Sequence, residues 1–302
     1  MGNMHADEVV ADIALANRLL ADQFPHWADL PLTPVASAGT DNAIYRLGRD
    51  MCLRLPRRPS AARLIDKECR WLPALAPLPL TIPVPLGKGE PAEGFPWVWS
   101  ICSWIEGEPV TIEGLADSQE AAIIIAGFIK ALQAIDTTGG PRSGPLNHHR
   151  GVPLAELDQR TRTALTNLAD EIDTAAATTI WDDALGAAPW DRPPVWVHGD
   201  LQPGNLLARR GWITAVIDFG LMGVGDPACD LTVAWTLLSP ATRPAFRAAL
   251  AVDDATWRRG RGWALYASVI AYDYYRETNP ALVTICKRAL GQLLADQASA
   301  EF

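Results

Sequence analysis

The amino-acid sequence predicts an α+β fold, with a small β-rich N-terminal lobe and a larger, mainly helical C-terminal lobe. Up to about residue 104, short apolar runs of strand-like character alternate with turn residues, and one core helix lies among them. From about residue 117 onward, the apolar residues recur mostly at helical spacing. We therefore expect two domains, residues 1–104 and residues 105–302.

The N-terminal lobe begins with a helix that its apolar spacing predicts over residues 8–24. A second helix is expected to start at Ser60 as its N-cap residue and to run to about Leu72, where Pro73 ends it. Strands are predicted where apolar runs are bounded by turn residues. They are residues 35–47, 51–55, 80–86 and 95–104.

The C-terminal lobe is predicted to consist of helices with two strands between them. The predicted helices share apolar residues at three- and four-residue intervals, and they are residues 118–135, 154–172, 241–251, 256–277 and 280–296. Asn279 and Pro280 supply a cap and a first-turn proline for the last helix. The apolar runs Val195–Val197 and Trp212–Ile217 are the expected strands, and polar residues follow both of them.

The composition is that of an ordinary globular protein, with 49% hydrophobic residues, 20% charged residues and a net charge of −9. An acidic chain without a basic face is not expected to bind nucleic acid. The most apolar run, residues 121–129, is too short to span a bilayer, and the acidic N-terminus lacks the pattern of a signal peptide. The five cysteines are scattered without a C-x-x-C pair, which favours reduced thiols. We therefore expect a cytoplasmic protein.

The most informative segment is residues 195–220, which contains two polar motifs, one after each predicted strand. His198, Asp200 and Asn205 stand in the order H-x-D-x-x-x-x-N, and Asp218 begins a D-F-G triplet. Transfer of a phosphoryl group to a hydroxyl needs a carboxylate that receives the proton and hard oxygen ligands that hold Mg²⁺. A buried histidine on a turn and a chance triplet would explain each motif alone. Their order and their strand context favour the catalytic interpretation.

A cation that neutralises nucleotide phosphates is expected on the strand at residues 51–55, where side chains alternate between two faces. No lysine precedes Lys67, so Arg54 is the candidate, and its guanidinium can bind two phosphate oxygens at once. Glu68 lies on the apolar face of the following helix. A buried glutamate needs a partner, which Arg54 can supply. A solvated arginine and a surface glutamate are the alternatives.

Two further segments are candidates for nucleotide contacts. Residues 37–43 lie between two predicted strands and can fold over the phosphates. The residues that would contact the phosphates there are Gly39, Thr40 and Asn42. An extended hinge after the last N-terminal strand can offer backbone groups of Ser103 and Ile105 to an adenine edge. The sequence has no G-x-x-x-x-G-K-[ST] motif, which argues against a P-loop nucleotidase.

The motifs HGDLQPGNLL (198–207), VIDFG (216–220) and GDPACDL (225–231) resemble those of the aminoglycoside phosphotransferase family. The resemblance extends from the loop near Gly39 to about Leu237. It implies a protein-kinase-like fold of two lobes, the N-terminal one binding nucleotide and the C-terminal one carrying catalysis and substrate binding. It also implies Mg²⁺ as cofactor, ATP or GTP as co-substrate, and a small molecule with a hydroxyl group as the acceptor.

The resemblance implies a role for each matching residue of the catalytic segment. Asp200 would be the catalytic base, or the carboxylate that orients the hydroxyl, and His198 would brace the catalytic loop. Asn205 and Asp218 would bind Mg²⁺. Asp230 would accept hydrogen bonds that fix the loop.

Arg54 and Glu68 would be the pair that anchors the phosphates, with arginine in place of the lysine that many members of the family have. Two features separate the chain from protein kinases. Gly199 replaces the arginine of H-R-D, and only five residues separate Gly220 from Asp226. A peptide-docking activation segment is therefore missing, which favours small-molecule substrates.

The sequence leaves several classes of acceptor open. A cationic antibiotic such as an aminoglycoside is the first candidate, because the C-terminal lobe carries an acidic excess. Its candidate ligand residues are Asp158, Asp170, Glu171, Asp173, Asp182, Asp183, Asp273 and Glu277. The alternatives are a macrolide, a cyclic-peptide antibiotic, a sugar or an amino alcohol. A nucleotide-binding regulator that has lost catalysis is the alternative from another class.

Overall fold

The computed structural model describes residues 11–35 and 41–300, except for the side chains of residues 299 and 300. The chain divides into two compact units. The first unit contains the N-terminal residues up to Glu106 together with Ala215–Gly220. The second unit contains Gly107–Thr214 and the residues from Leu221 onward.

The first unit is built on an antiparallel sheet. In chain order its elements are α1 (Ile13–Gln23), β1 (Leu32–Pro34), β2 (Asn42–Leu47), β3 (Met51–Pro56), α2 (Pro59–Trp71), β4 (Pro85–Gly89) and β5 (Trp99–Ser103). The strands lie in the order β1-β2-β3-β5-β4. Along β3 the side chains alternate, so that Leu53 and Leu55 are buried in a core with Leu19 and Leu20 of α1. Arg54 therefore points to the opposite face of the sheet.

Several boundaries predicted for this unit are wrong. The strand predicted from residue 95 begins only at Trp99, and residues 36–40 of the strand predicted over 35–47 lie outside the described residues. At two other boundaries a proline sets the observed start. Helix α2 begins at Pro59, so Ser60 lies inside the helix and does not cap it. Proline suits the first helical position because the N–H that it lacks would have no intrahelical partner there. The strand expected from residue 80 begins only at Pro85, because Pro83 cannot donate to a strand ladder.

The second unit is mainly helical. In chain order its elements are β6 (Glu108–Pro109), α3 (Ile112–Leu115), α4 (Gln119–Gln133), α5 (Asp158–Asn167), α6 (Thr174–Leu185), β7 (Val195–Val197), β8 (Leu206–Arg209), β9 (Trp212–Val216), β10 (Gly223–Gly225), α7 (Val233–Thr236), α8 (Arg243–Leu250), α9 (Asp254–Tyr275) and α10 (Pro280–Ala300). Strands β7 and β10 form an antiparallel pair, and β6, β8 and β9 form a second small sheet. The last residues of β9, Ala215 and Val216, belong to the first unit.

Helix α9 packs against α6, α10 and the 3₁₀ segment Pro227–Thr232. The surrounding core contains fully buried aromatic side chains, which include Trp181, Trp196 and Trp263. The sequence does not predict α6, because its Ala- and Thr-rich residues lack a clear apolar periodicity. Its N-terminus is capped by Asp173. No helix within residues 11–35 and 41–300 is long and apolar enough to cross a bilayer.

Candidate functional site

The ion pair predicted between Arg54 and Glu68 is present in the first unit. Arg54 lies on β3, and Glu68 lies in the last turn of α2. Nη1 of Arg54 donates a hydrogen bond to Oε2 of Glu68 at 2.8 Å. The two side chains are only 13% and 3% exposed, which excludes the alternatives of a solvated arginine and a surface glutamate.

Burial dominates the electrostatics of this pair. It raises the pKa of the Glu68 carboxyl, and the Arg54 guanidinium acts in the opposite direction. The pKa of Arg54 is raised overall. Burial lowers it, but nearby negative groups, of which Glu68 is the strongest and Asp218 is another, outweigh the effect of burial. Oε1 of Glu68 is buried without a hydrogen-bond partner among the described residues. A buried pair with an unsatisfied oxygen contributes little stability, so a functional role explains it better.

Asp218 belongs to the same unit and lies near this pair. Its φ of 63° is in the left-handed region, which few residues other than glycine adopt, and its side chain is exposed. Its charge contributes to the raised pKa values of both Arg54 and Glu68. A Cβ on Gly220 would lie 3.4 Å from both Oδ1 of Asp218 and Leu64 of α2, so the D-F-G turn packs on this helix. Arg54, Glu68 and Asp218 are called the charged cluster below.

The other nucleotide candidates of the first unit differ in what they can offer. Asn42 begins β2, and its Oδ1 is buried without a hydrogen-bond partner in the described part of the chain. The N–H of Ser103 donates to the carbonyl of Val84 at 2.9 Å and is not available to a base. The N–H of Ile105 has no acceptor within residues 11–35 and 41–300. The remaining candidates, which lie outside the described residues, are Gly39 and Thr40.

The loop that the sequence predicts to be catalytic follows β7 in the second unit. His198 is fully buried, and Gly199 has a φ of 80°, a left-handed conformation that glycine adopts without strain. The backbone N–H groups of His198 and Gly199 donate to the carboxylate of Asp230 at 2.8 and 2.7 Å. Asp230 is itself completely buried in the 3₁₀ segment Pro227–Thr232. The hydrogen bonds expected for Asp230 are therefore present.

The buried side chains of His198 and Asp230 both hold the backbone of this loop. Burial raises the pKa of the Asp230 carboxyl, and His198 together with the two backbone N–H groups opposes that rise. Hydrogen bonds to an ionised carboxylate are among the strongest in proteins. Nδ1 of His198 in turn accepts the backbone N–H of Asp200 at 3.2 Å. The backbone is thus held on both sides of Gly199.

Asp200 follows this braced backbone and is half-buried. Its Oδ2 accepts hydrogen bonds from Nδ2 of Asn205 at 2.9 Å and from Nε2 of Gln202 at 3.2 Å. Nδ2 of Asn205 also donates to the backbone carbonyl of Asp200 at 2.8 Å. Because both contacts use the amide nitrogen of Asn205, its amide oxygen, which has no partner among the described residues, remains for a cation.

The donor types suit a hard divalent cation. Asn205 of the second unit offers an amide oxygen, Asp218 of the first unit offers a carboxylate, and oxygen ligands of this kind are those that Mg²⁺ prefers. In the part of the chain that the structure describes, no three His, Cys, Asp or Glu side chains are grouped as a metal site.

A buried ion pair that the sequence does not predict supports the segment carrying Asp230. Arg259 of α9 contacts both carboxylate oxygens of Asp226, at 2.8 and 3.2 Å, and the side chains are 5% and 7% exposed. Asp226 also caps the 3₁₀ segment Pro227–Thr232 by accepting the N–H of Ala228. The motif GDPACDL draws attention to Asp226, but no spacing rule connects it with an arginine so far along the chain.

Several solved structures have a fold similar to that of this chain. Aminoglycoside 2'-phosphotransferase-IIIa in its GDP complex matches with a TM-score of 0.71 and 17% identity, covering 97% of this chain and 100% of that chain. The streptomycin–ATP complex of APH(2")-IIa matches with a TM-score of 0.61 and 20% identity, covering 91% and 94%. Macrolide 2'-phosphotransferase MphH from Brachybacterium faecium matches with a TM-score of 0.61 and 23% identity, covering 93% and 97%. The predicted protein-kinase-like α+β fold is therefore confirmed.

The sequence itself identifies the family. No curated protein matches the chain. The family model described as APH, phosphotransferase enzyme family, matches residues 32–263, which is most of the sequence. The chain therefore belongs to the phosphotransferase enzyme family, as its catalytic motifs predict.

Proposed function

We propose that this phosphotransferase moves the γ-phosphoryl group of ATP or GTP to a hydroxyl group of a small molecule. The observation that carries the proposal is the catalytic loop, in which Asp200 is held by Asn205 and by the braced backbone at His198. A carboxylate fixed in this way can meet an acceptor hydroxyl without first reorganising. Membership of the family supports the same reaction type.

The charged cluster supports the binding of the nucleotide. Arg54 provides a fixed cation for the phosphates, and Glu68 holds its guanidinium in place. Asn205 and Asp218 are the residues that we assign to Mg²⁺, which neutralises phosphate charge when it is bound. The N–H of Ile105 is a donor for the edge of the base. The residues that we assign to the phosphate loop are Gly39, Thr40 and Asn42.

In the proposed transfer, the acceptor oxygen forms a bond to the γ-phosphorus while the bond from that phosphorus to the β–γ bridging oxygen breaks. The hydroxyl proton passes to the carboxylate of Asp200, and the nucleoside diphosphate leaves. Oδ2 of Asp200 stays fixed by the amide groups of Asn205 and Gln202. Asp230 holds the backbone, so the geometry of the loop is set before the acceptor binds.

An aminoglycoside-type antibiotic is the first candidate for the acceptor. Structures of similar fold hold kanamycin and gentamicin, at 18% and 21% sequence identity to this chain. The acidic side chains Asp170, Asp173 and Glu277 form no ion pair within the described residues and can meet a cationic ligand.

A second candidate, an acceptor of low charge such as a macrolide, is favoured by a specific observation. Half of the acidic side chains proposed as ligands for a cation are already paired with basic residues of the same unit. The pairs are Asp158 and Asp182 with Arg162, Asp183 with Arg258, and Glu171 with Lys287. A paired carboxylate attracts a polycationic ligand less strongly.

A screen of acceptors tests the proposal. The protein is incubated with Mg²⁺, ATP or GTP, and one member of each class: an aminoglycoside, a macrolide, a cyclic-peptide antibiotic, a sugar and an amino alcohol. Mass spectrometry records the gain of one phosphoryl group. We expect one class to gain it, in the presence of Mg²⁺ only, with one nucleoside diphosphate released per product. Nucleotide binding without transfer to any class would contradict the proposal and favour a non-catalytic regulator.

A further inference from the structure

Gly199 leaves a space beside the catalytic loop that another segment fills. A Cβ at this position would lie 2.5 Å from the carbonyl oxygen of Leu221. It would also lie 3.0 and 3.1 Å from Cβ and Cγ of Arg150. The first distance, together with the positive φ, requires glycine in this backbone conformation. The other two distances show that the aliphatic stem of Arg150 packs where a side chain of the loop would begin.

The backbone around Arg150 is fixed at both of its ends. The buried side chain of Asn147 accepts the N–H of Gly144 and donates to the carbonyl of Arg150, both at 2.9 Å. The carbonyl of Gly151 accepts the N–H of Asp226 at 2.8 Å. Because Asp226 also caps the segment that carries Asp230, Arg150 is tied to the same framework as the catalytic loop.

The guanidinium group of Arg150 forms no ion pair within the described residues. Its Cζ lies 5.9 Å from the centroid of the Tyr266 ring, and its Nε is buried without a hydrogen-bond partner. Burial, Asp230 and Asp226 raise the pKa of Cys229, whereas the charge of Arg150 lowers it. The guanidinium of Arg150 therefore lies near the segment Pro227–Thr232, which carries Cys229 and Asp230. A partly buried cation without a carboxylate partner is unfavourable for stability. Its presence beside the loop therefore points to a role in the reaction.

We propose that Arg150 is a positioning residue: by packing on Gly199, it sets the position of the Asp200 carboxylate. The stem packs on Gly199, and the guanidinium over Tyr266 keeps the stem in that position. In an H-R-D motif the loop carries its own arginine, whereas in this chain the arginine comes from the segment that precedes α5. The inference rests on the proposed function, because the place of Asp200 matters only where Asp200 acts on an acceptor.

The test compares Arg150→Met, which keeps a long unbranched stem without the charge, with Arg150→Lys, which keeps the charge. Arg142→Met is the matched control, because Arg142 is exposed, lies in the same segment and forms no ion pair within the described residues. Hydrogen–deuterium exchange of the His198 and Gly199 amides reports on the loop without requiring activity. The kcat and KM values of phosphoryl transfer report on the reaction.

For Arg150→Met we expect exchange of these amides to be faster by at least about tenfold. We expect kcat to fall by at least about tenfold at unchanged KM for nucleotide and acceptor, because small displacements of a reacting group reduce rates by up to about 10²-fold. Arg150→Lys should recover part of both effects, and Arg142→Met should leave both unchanged. If Arg150→Met does not fold, Arg150→Lys is compared with wild type, and a smaller change of the same sign is expected.

Two results would overturn the inference. Exchange rates equal to those of wild type would show that Arg150 does not hold the loop. A raised KM for the acceptor at unchanged kcat would show that Arg150 binds the acceptor and does not position Asp200. A wild-type protein without any transfer activity would refute the proposed function alone, because the exchange comparison would still decide whether Arg150 holds the loop.

Discussion

The substitution Asp230→Ala removes the carboxylate that accepts the N–H groups of His198 and Gly199, which lie 2.8 and 2.7 Å from its oxygens. Each buried N–H that loses its acceptor destabilises the folded state by about 1–3 kcal/mol, so the two together give about 2–6 kcal/mol. Burial of the Asp230 charge is itself unfavourable, as its raised pKa indicates, and the relief of that penalty places the expected loss at about 2–4 kcal/mol. Asp230→Asn keeps one acceptor oxygen and should lose about half as much.

Urea unfolding at neutral pH, followed by tryptophan fluorescence, measures the free energy of unfolding of both variants. Asp170→Ala is the control, because Asp170 is an exposed carboxylate of the same unit, and its substitution should change the free energy of unfolding by less than about 0.5 kcal/mol. An Asp230→Ala protein as stable as wild type would show that the Asp230 carboxylate does not stabilise the two N–H groups. So would an Asp230→Asn protein that is less stable than Asp230→Ala.

Two further predictions concern buried charges. The pKa of Glu68 in the folded protein is raised above its ordinary value of 4.5, so as pH rises the unfolded chain loses this proton before the folded protein does. The free energy of unfolding of wild type, relative to that of Glu68→Gln, therefore falls as pH rises from 4.5 to the folded pKa. Urea unfolding of both proteins over this range checks the sign, and a difference that grows with pH would contradict it. Arg259→Met leaves Asp226 buried without its partner and should lose about 3–5 kcal/mol of unfolding free energy. Arg192→Met, whose partner Asp253 is 51% exposed, should lose less than about 1 kcal/mol, and equal losses in the two variants would count against this account.

The features of the site that can be predicted from the sequence are those that depend on residues close together along the chain. Strand alternation places Arg54 on the face opposite Leu53 and Leu55, and helical periodicity places Glu68 on the buried face of α2. These two rules suffice for the ion pair. The contact between Asp200 and Asn205 likewise depends on a five-residue interval within one loop.

The features that the sequence does not predict depend on contacts between distant segments. Arg150 meets Gly199, and Arg259 meets Asp226, only because the helices of the second unit bring them together. Helix α6 forms although its threonines are poor helix formers, because burial of residues such as Trp181 stabilises it. No periodicity or spacing rule contains this information, so the surroundings of the catalytic loop become visible only in the folded chain.

The turnover of the Asp200→Asn variant is the decisive measurement for the role of Asp200. The measurement uses Mg²⁺, the nucleotide and the acceptor that the screen identifies, and it records kcat together with the KM for the nucleotide. We expect kcat to fall by at least about 10²-fold, because the variant cannot receive the hydroxyl proton, and the KM for the nucleotide to stay unchanged. Turnover of Asp200→Asn within a few-fold of wild type would contradict the assignment of Asp200 as the residue that acts on the acceptor.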